Sequence, residues 1–324
     1  MKKLIIFIAL IILIFFLARG WWSRQLNPVS QDTSTGGASG TKVFVVAKGA
    51  GVSEIAKKLK EDNLIRSELV FKLYVRQNNL TDKLQAGSYK LSPAMSTQEI
   101  LKTLQSGSED VWVTLIEGWR VEEMAEEISS KFKVQSSKFL ENAKEGYMFP
   151  DTYLFPKEAT VEYITDTLKN TFDTRLTDDL KAKIKSKGLT VEQGVILASI
   201  VEREGRSDNV RKMIASILLK RFNIDMVLNA DATIQYALGY QNEEKSWWKR
   251  HLSREDLKVE SPYNTYLYIG LPPKPIANPS LSSLQAVGNA DPSTPYLYYY
   301  HDSKGNSYYG KTLEEHNKNV ATYP

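Results

Sequence analysis

The pattern of apolar and polar positions divides the chain into stretches of different texture. Leu4 to Ala18 (LIIFIALIILIFFLA) is apolar without a break, led by Lys2 and Lys3 and followed by Arg19, Trp21 and Trp22. At 1.5 Å per residue that run falls short of a ~30 Å bilayer core. Snorkelling of Arg19 and seating of the Trp pair among headgroups extend the span to roughly nineteen residues. Arg19-Gly20-Trp21-Trp22 is bulky where a signal peptidase needs small side chains. The run therefore predicts an uncleaved membrane anchor over residues 1–22. The lysines hold its N-terminus in the cytoplasm and leave the rest of the chain outside, on a cell membrane. Asn27 to Thr41 is small, polar and nearly uncharged, which marks residues 23–41 as a flexible tether.

Beyond the tether the pattern alternates short β-rich runs with short amphipathic helices. Val43–Val46 reads as a strand and leads through Gly49 and Gly51 into Glu54–Leu59. Ser88–Leu91 leads into Glu99–Leu104, with Ser96 and Glu99 as a capping box. A third version runs from Val111–Ile116 through Gly118 into Val121–Ile128. Compact strand–helix units of this kind occur both as wall-binding modules and as ordinary packing, and the repeat alone does not decide between them.

After Phe139 the helices lengthen and the loops turn aromatic. Glu145–Tyr153 (EGYMFPDTY) reads as a loop on its Gly and Pro. A helix is predicted over Val161–Ser186, and another over Val191–Glu204, opened by a Thr190/Gln193 capping box and stopped by Gly205. A third follows Ser207, then a short strand Met226–Leu228 and a helix Asp231–Leu238 closed by Gly239. Leu281–Val287 forms a further helix, Tyr296–Tyr300 and Ser307–Tyr309 a terminal hairpin, and a last helix starts at Thr312. The fold class is α+β, with a helix-rich second domain.

Length and composition narrow the chemistry. The chain of 324 residues allows about two domains. Its net charge of +4 sits largely on the N-terminal segment, so no basic surface is left for a nucleic-acid partner. There is no cysteine, and the three histidines, His251, His301 and His316, form no close pair. This composition argues against thiol chemistry and against a protein-held catalytic metal. No GxSxG is present to suggest a serine hydrolase.

The helix ending at Gly205 carries the sharpest signal. With Val195 at 0° and about 100° per residue, the apolar side chains Ile196, Leu197, Ile200 and Val201 centre near 170°. Glu204 falls at about 180°, inside the apolar stripe, and Glu202 at about 340°, on the opposite face. Burial and the negative helix end both raise the pKa of an acid placed like Glu204, fitting it to donate a proton. Periodicity alone leaves open that Glu204 curls out to solvent or pairs with Arg203, Arg206 or Arg211.

The chain resembles the endolytic murein transglycosylase (MltG, YceG-like) family, on blocks in family order. These are Glu145–Tyr153, Leu197–Glu204 (LASIVERE), Asn229–Gly239, Ser261–Tyr266 (SPYNTY) and Gly270–Pro279 (GLPPKPIANP), with Tyr296–Tyr298 and His316-Asn317 after them. Ala230 stands where Thr is common, and Gln241–His251 departs from the pattern. Its Trp247-Trp248 pair is either an extra sugar contact or a loop anchor. The resemblance implies a membrane helix, a LysM-like module over residues 42–108 and a catalytic domain over 109–324. It also implies cleavage of the MurNAc-β-1,4-GlcNAc bond within peptidoglycan, leaving 1,6-anhydro-MurNAc ends, with Glu204 as the acid and no cofactor. Glu202 and Asp231 would support the site, and Tyr147, Tyr263, Asn264, Thr265, Tyr266 and Asn278 would hold the glycan. The family's setting further implies membrane-bound cell-wall synthases as partners. Two alternatives stay open: a tethered peptidoglycan-binding scaffold without catalysis, and a muramidase using Glu204 and Asp231 as its two carboxylates.

Overall fold

Residues 2–30, 41–47, 49–107, 110–157 and 159–323 are described by the structure, a computed structural model. The chain divides into two compact units, Met1–Trp112 with Leu154–Lys157, and Val113–Tyr153 with Glu158–Pro324. Their elements are α and β, with helices predominating.

In the first unit, β1 (Lys42–Val46) pairs antiparallel with β2 (Gly87–Leu91), with Lys42 opposite Leu91 and Val46 opposite Gly87. Between the two strands come α2 (Val52–Glu61) and α3 (Glu68–Gln77), and α4 (Thr97–Ser106) follows them. The core is built from one face of each element: Phe44 and Val46, Ile55 and Leu59, Phe71 and Val75, Tyr89 and Leu91, Ile100 and Leu104. The Ser96/Glu99 capping box opens α4 as expected. Helix α3 is absent from the sequence reading, although Ser67 caps it by accepting from the Val70 amide. Before this core, α1 runs Lys2–Leu26. Arg66 then donates to the carbonyls of Pro28 and Val29, fixing the first residues after that helix. Among the described residues no helix is long and apolar enough to cross a membrane. Many apolar side chains of α1, including those of residues 4–6, 8, 9 and 11, lie outside the described residues, as does most of the expected tether, residues 31–40.

Strand β3 (Val111–Thr114) does not run on to Ile116, and it pairs with β4 (Thr152–Phe155). The expected loop thus ends as a strand. The second unit then carries the helices α5 (Val121–Lys131), α6 (Ser136–Asn142), α7 (Val161–Arg175), α8 (Asp178–Ser186), α9 (Val191–Glu204), α10 (Asp208–Asn223), α11 (Asp231–Leu238) and α12 (Leu281–Gly288). The single helix expected over Val161–Ser186 is two, because the Thr177 hydroxyl caps the Leu180 amide and starts α8 anew. No strand forms at Met226–Leu228. The Met226 amide turns back to the Arg221 carbonyl, and no partner strand lies alongside. The hairpin β5 (Tyr298–His301) and β6 (Ser307–Gly310) then leads into α13 (Leu313–Thr322), capped at Thr312.

Helix α9 lies at the centre of this unit, packed by α8, α10, α11 and α12. Gly194 through Glu202 are all buried. The turn into α10 is equally tight. A Cβ on Gly205 would stand 2.6 Å from the Arg211 Cγ and 3.0 Å from its Cα.

Candidate active site

The capping box expected at the start of α9 is present, with Thr190 and Gln193 each satisfying the other's amide. Fourteen residues on, the helix delivers two glutamates to different environments. Glu202 is buried, because α9 is packed on every side and has no solvated face for it. Its Oε1 accepts from Arg211 Nη2 at 2.8 Å. Its Oε2 accepts from the Ser280 amide at 2.8 Å and the Ser280 hydroxyl at 2.5 Å. Ser280 is the N-cap of α12, so this carboxylate joins α9, α10 and the positive end of α12. All of its charge is spoken for inside the fold.

Glu204 opens instead onto a cleft of about 450 Å³ that it shares with Asp231, Tyr266, Arg221, Tyr299 and His301. The residue is half-buried, but its carboxyl end is enclosed. The Ala232 amide, in the first turn of α11, donates to its Oε1 at 3.3 Å, and the Tyr299 hydroxyl hydrogen-bonds it as well. Burial pushes the Glu204 pKa up to about 7, with the negative charge of Asp231 adding to the rise. The two hydrogen bonds and Arg203 oppose it. Arg203 itself turns away and lies over the Trp248 ring at 3.8 Å.

Asp231 opens α11, and its carboxylate accepts from the Tyr266 hydroxyl at 2.5 Å. Burial and this carboxylate hold Tyr266 far above the ordinary tyrosine pKa, so it stays a neutral donor. Burial, followed by the Glu204 charge, does the same for Tyr299. A half-titrated carboxyl therefore faces the cleft beside an anionic neighbour and two phenols that keep their protons. This arrangement can protonate a departing oxygen and take a proton back.

The other sequence-selected residues lie elsewhere in the unit. Asn264 is buried, its amide donating to the carbonyls of Leu257 and Val259 while its oxygen accepts from the Tyr266 amide. Thr265 is buried too; its Oγ1 takes the Ala230 amide at 3.1 Å and meets Thr233 Oγ1 at 2.9 Å. Asn278 accepts from the amides of Gly146 and Met148 and donates to the Trp119 carbonyl and Glu145. Burial pushes that Glu145 carboxyl up to about 8. These three side chains thus shape loops, with their polar atoms already engaged. Tyr147 packs on Phe172, ring centres 5.0 Å apart, and Tyr263 on Tyr236 at 4.8 Å. Of the six residues expected to hold glycan, Tyr266 lines the Glu204 cleft.

The Trp pair at 247–248 divides its work. Trp248 is buried under Arg203 and donates to Glu123 at 2.9 Å, which makes it an anchor. Trp247 is half-exposed and donates to Glu126 at 3.0 Å. The hairpin supplies what sequence reasoning missed, since β5 lays Tyr298, Tyr299, Tyr300 and His301 along the cleft and His316 comes in from α13. Four consecutive ring side chains before a turn were the available signal. Among the described residues no cluster of three or more metal-ligating side chains occurs.

Residues 44–322 match the YceG-like family. The chain belongs to that family. Among its YceG-like relatives, the endolytic murein transglycosylase of Streptococcus pneumoniae is 31% identical over 323 residues, covering 86% of this chain and 57% of its own. The chain thus spans little more than half the length of that relative. The endolytic murein transglycosylase of Bacillus subtilis is 31% identical over 331 residues, covering 92% of this chain and 88% of its own. A solved YceG-like protein of Listeria monocytogenes, 30% identical, superposes with a TM-score of 0.58 over 86% of this chain and 98% of its own. The family match begins within β1 and so takes in both units.

Proposed function

We propose that this chain is an endolytic murein transglycosylase that cuts the MurNAc-β-1,4-GlcNAc bond inside peptidoglycan strands. The observation that carries the reading is the enclosed Glu204 carboxyl, raised to about 7 at the wall of an aromatic cleft. Two relatives that bear the activity's name at 31% identity support it. Glu204 gives its proton to the bridging oxygen as the C1–O bond breaks. The resulting carboxylate then takes the proton of the muramic C6 hydroxyl, whose oxygen closes on C1 of the same ring. The acid is regenerated, the leaving strand keeps the first proton, and no water is consumed. One carboxyl suffices because the nucleophile is tethered to the reacting carbon.

Asp231 sustains a second reading. It is another carboxylate in the same cleft, as a hydrolase would need, although its hydrogen bond to Tyr266 suits a residue that fixes the cleft wall. The full-length protein in detergent, incubated with purified sacculi, separates the two by mass spectrometry of the products. Anhydro-muramic ends that vanish in Glu204→Gln are expected. Reducing ends lost in Asp231→Asn would make the protein a muramidase, and no cleavage would make it a wall-binding scaffold.

The reading extends to location. We place α1 in the cell membrane with the N-terminus cytoplasmic, on the uninterrupted apolar run Leu4–Ala18 between Lys2-Lys3 and Arg19. The remainder would then work on nascent glycan outside, beside membrane-bound wall synthases. Residues 42–108 are read as a LysM-like module, supported by the antiparallel pair β1–β2 with two helices between its strands.

A further inference from the structure

The donors nearest the acid are already committed inside the fold. Tyr266 gives its hydroxyl proton to Asp231, and Tyr299 hydrogen-bonds Glu204. Arg221 donates to the carbonyls of Leu297 and Leu228, each at 2.7 Å. Asn229 is different. It lines the same cleft, it is exposed, and its carboxamide makes no hydrogen bond to any described residue. Leu228 and Ala230, on either side of it, are fully buried, so Asn229 is the point at which this loop turns outward.

The backbone around it is held from both sides. Asn229 has a φ of 48°, in the left-handed region that Asn tolerates and most side chains avoid. The Leu228 carbonyl accepts from Arg221, and the Asn229 amide donates to the Thr265 carbonyl at 3.1 Å. The Ala230 amide donates to the Thr265 hydroxyl at 3.1 Å, and the Ala230 carbonyl accepts from the Thr233 hydroxyl at 2.7 Å. Two residues further on, the Ala232 amide binds Glu204 itself. The loop's own hydrogen bonds thus fix where Asn229 stands and leave its functional group open, which is how a binding residue is preorganised.

The chemistry of the wall selects what that group meets. Glu204 and Asp231 offer acceptor oxygens, and sugar hydroxyls bring their own protons to such partners. An acetamido carbonyl oxygen can only accept, so it needs a donor from the wall. We propose that Asn229 is a specificity-determining residue whose Nδ2–H donates to the acetamido carbonyl oxygen of a sugar held beside Glu204. This rests on the glycan-cleaving reading above and adds to it a residue that tells N-acetylated from de-N-acetylated strands.

The test uses the full-length protein in detergent and glycan strands freed of stem peptides and partly de-N-acetylated at random. Mass spectrometry of the products reads the acetylation of the two sugars flanking each cut. Native protein is expected to cut beside N-acetylated sugars more often than their share of the starting strands. Asn229→Gly keeps the left-handed backbone without strain and removes only the carboxamide, so Tm should hold. In that variant the preference for N-acetylated sugars should fall about fivefold, the worth of one net hydrogen bond, at one of the two flanking positions. Asn229→Asp, also at home at this φ, keeps an acceptor but no donor and should lose the preference in the same way, which covers a Gly variant that does not fold. A native protein without the preference, or a preference that survives in the folded variants, overturns the proposal and leaves the enzyme reading intact. So does a folded Asn229→Gly protein that cuts nothing, since one hydrogen bond cannot account for that loss. Strands left uncut by the native protein overturn the glycan-cleaving reading and this proposal together.

Discussion

The two glutamates of α9 stand two residues apart and differ in how their charge is met. Glu204 has an enclosed carboxyl with a pKa of about 7, so it is largely protonated below neutral pH and ionised above. A general acid of this kind loses kcat/KM as pH rises past about 7, by roughly tenfold per unit, and a pH–rate profile on sacculi reads that limb directly. The neighbours set its position. Tyr299→Phe removes a hydrogen bond that favours the carboxylate and should move the limb to higher pH; Asp231→Asn removes a repelling charge and should move it lower. Stability has its own sign. The folded Glu204 titrates above the ordinary carboxyl value of 4.5, so the fold binds the extra proton between those two pH values. Native stability therefore falls as pH rises from about 4.5 through 7 and then levels. Glu204→Gln escapes this cost. It should abolish cleavage yet raise stability by about 1–3 kcal/mol at pH 8, with little gain at pH 5, as thermal melts at the two pH values would show.

At the scale of elements, the same helix shows what removal of the other glutamate would do. Glu202→Ala leaves the Arg211 guanidinium and the Ser280 amide facing a buried gap. Breaking a buried pair in this way costs about 3 kcal/mol, enough to lower Tm by roughly 6–12 °C in a domain of this size. Melting by circular dichroism would separate it from Glu204→Gln even if both variants were inactive. The helical wheel set Glu204 in the apolar stripe, and that direction also leads to the cleft. It set Glu202 on the opposite face, and because that face of α9 is packed as well, the carboxylate is paired with Arg211 and Ser280 there. Capping residues were legible wherever Ser or Thr met Glu or Gln three residues on, as at Ser96 and Thr190. Ser67 and Thr177 lack that partner, and with them went α3 and the break between α7 and α8. Asn264, Thr265 and Asn278 looked like ligand contacts because buried amides and hydroxyls that satisfy loop backbone have the same composition as those that read sugars.

For the whole molecule, the central question is where the chain works. If α1 anchors it, the full-length protein should sediment with membranes and resist extraction by high salt or carbonate, and release without detergent would argue against the anchor. The match over residues 44–322 places the family's shared content in both units, whereas the ordered blocks legible in the sequence, from Glu145 onward, all fall in the second. The cleft wall from the hairpin was less legible, because Tyr298–His301 are adjacent in sequence to the turn but reach Glu204 only through tertiary packing. The joint between α9 and α10 has a consequence for how the protein can vary. Gly205 has no room for even one methyl group against Arg211, and Arg211 is also the counter-ion of Glu202. Gly205→Ala would force the two helices apart at the point that holds both carboxylates. A screen of random variants for loss of cleavage should therefore recover position 205 nearly as often as 204, although nothing at 205 touches the substrate. Tolerance to mutation in this chain is set by the clearance around the acid as much as by the acid itself.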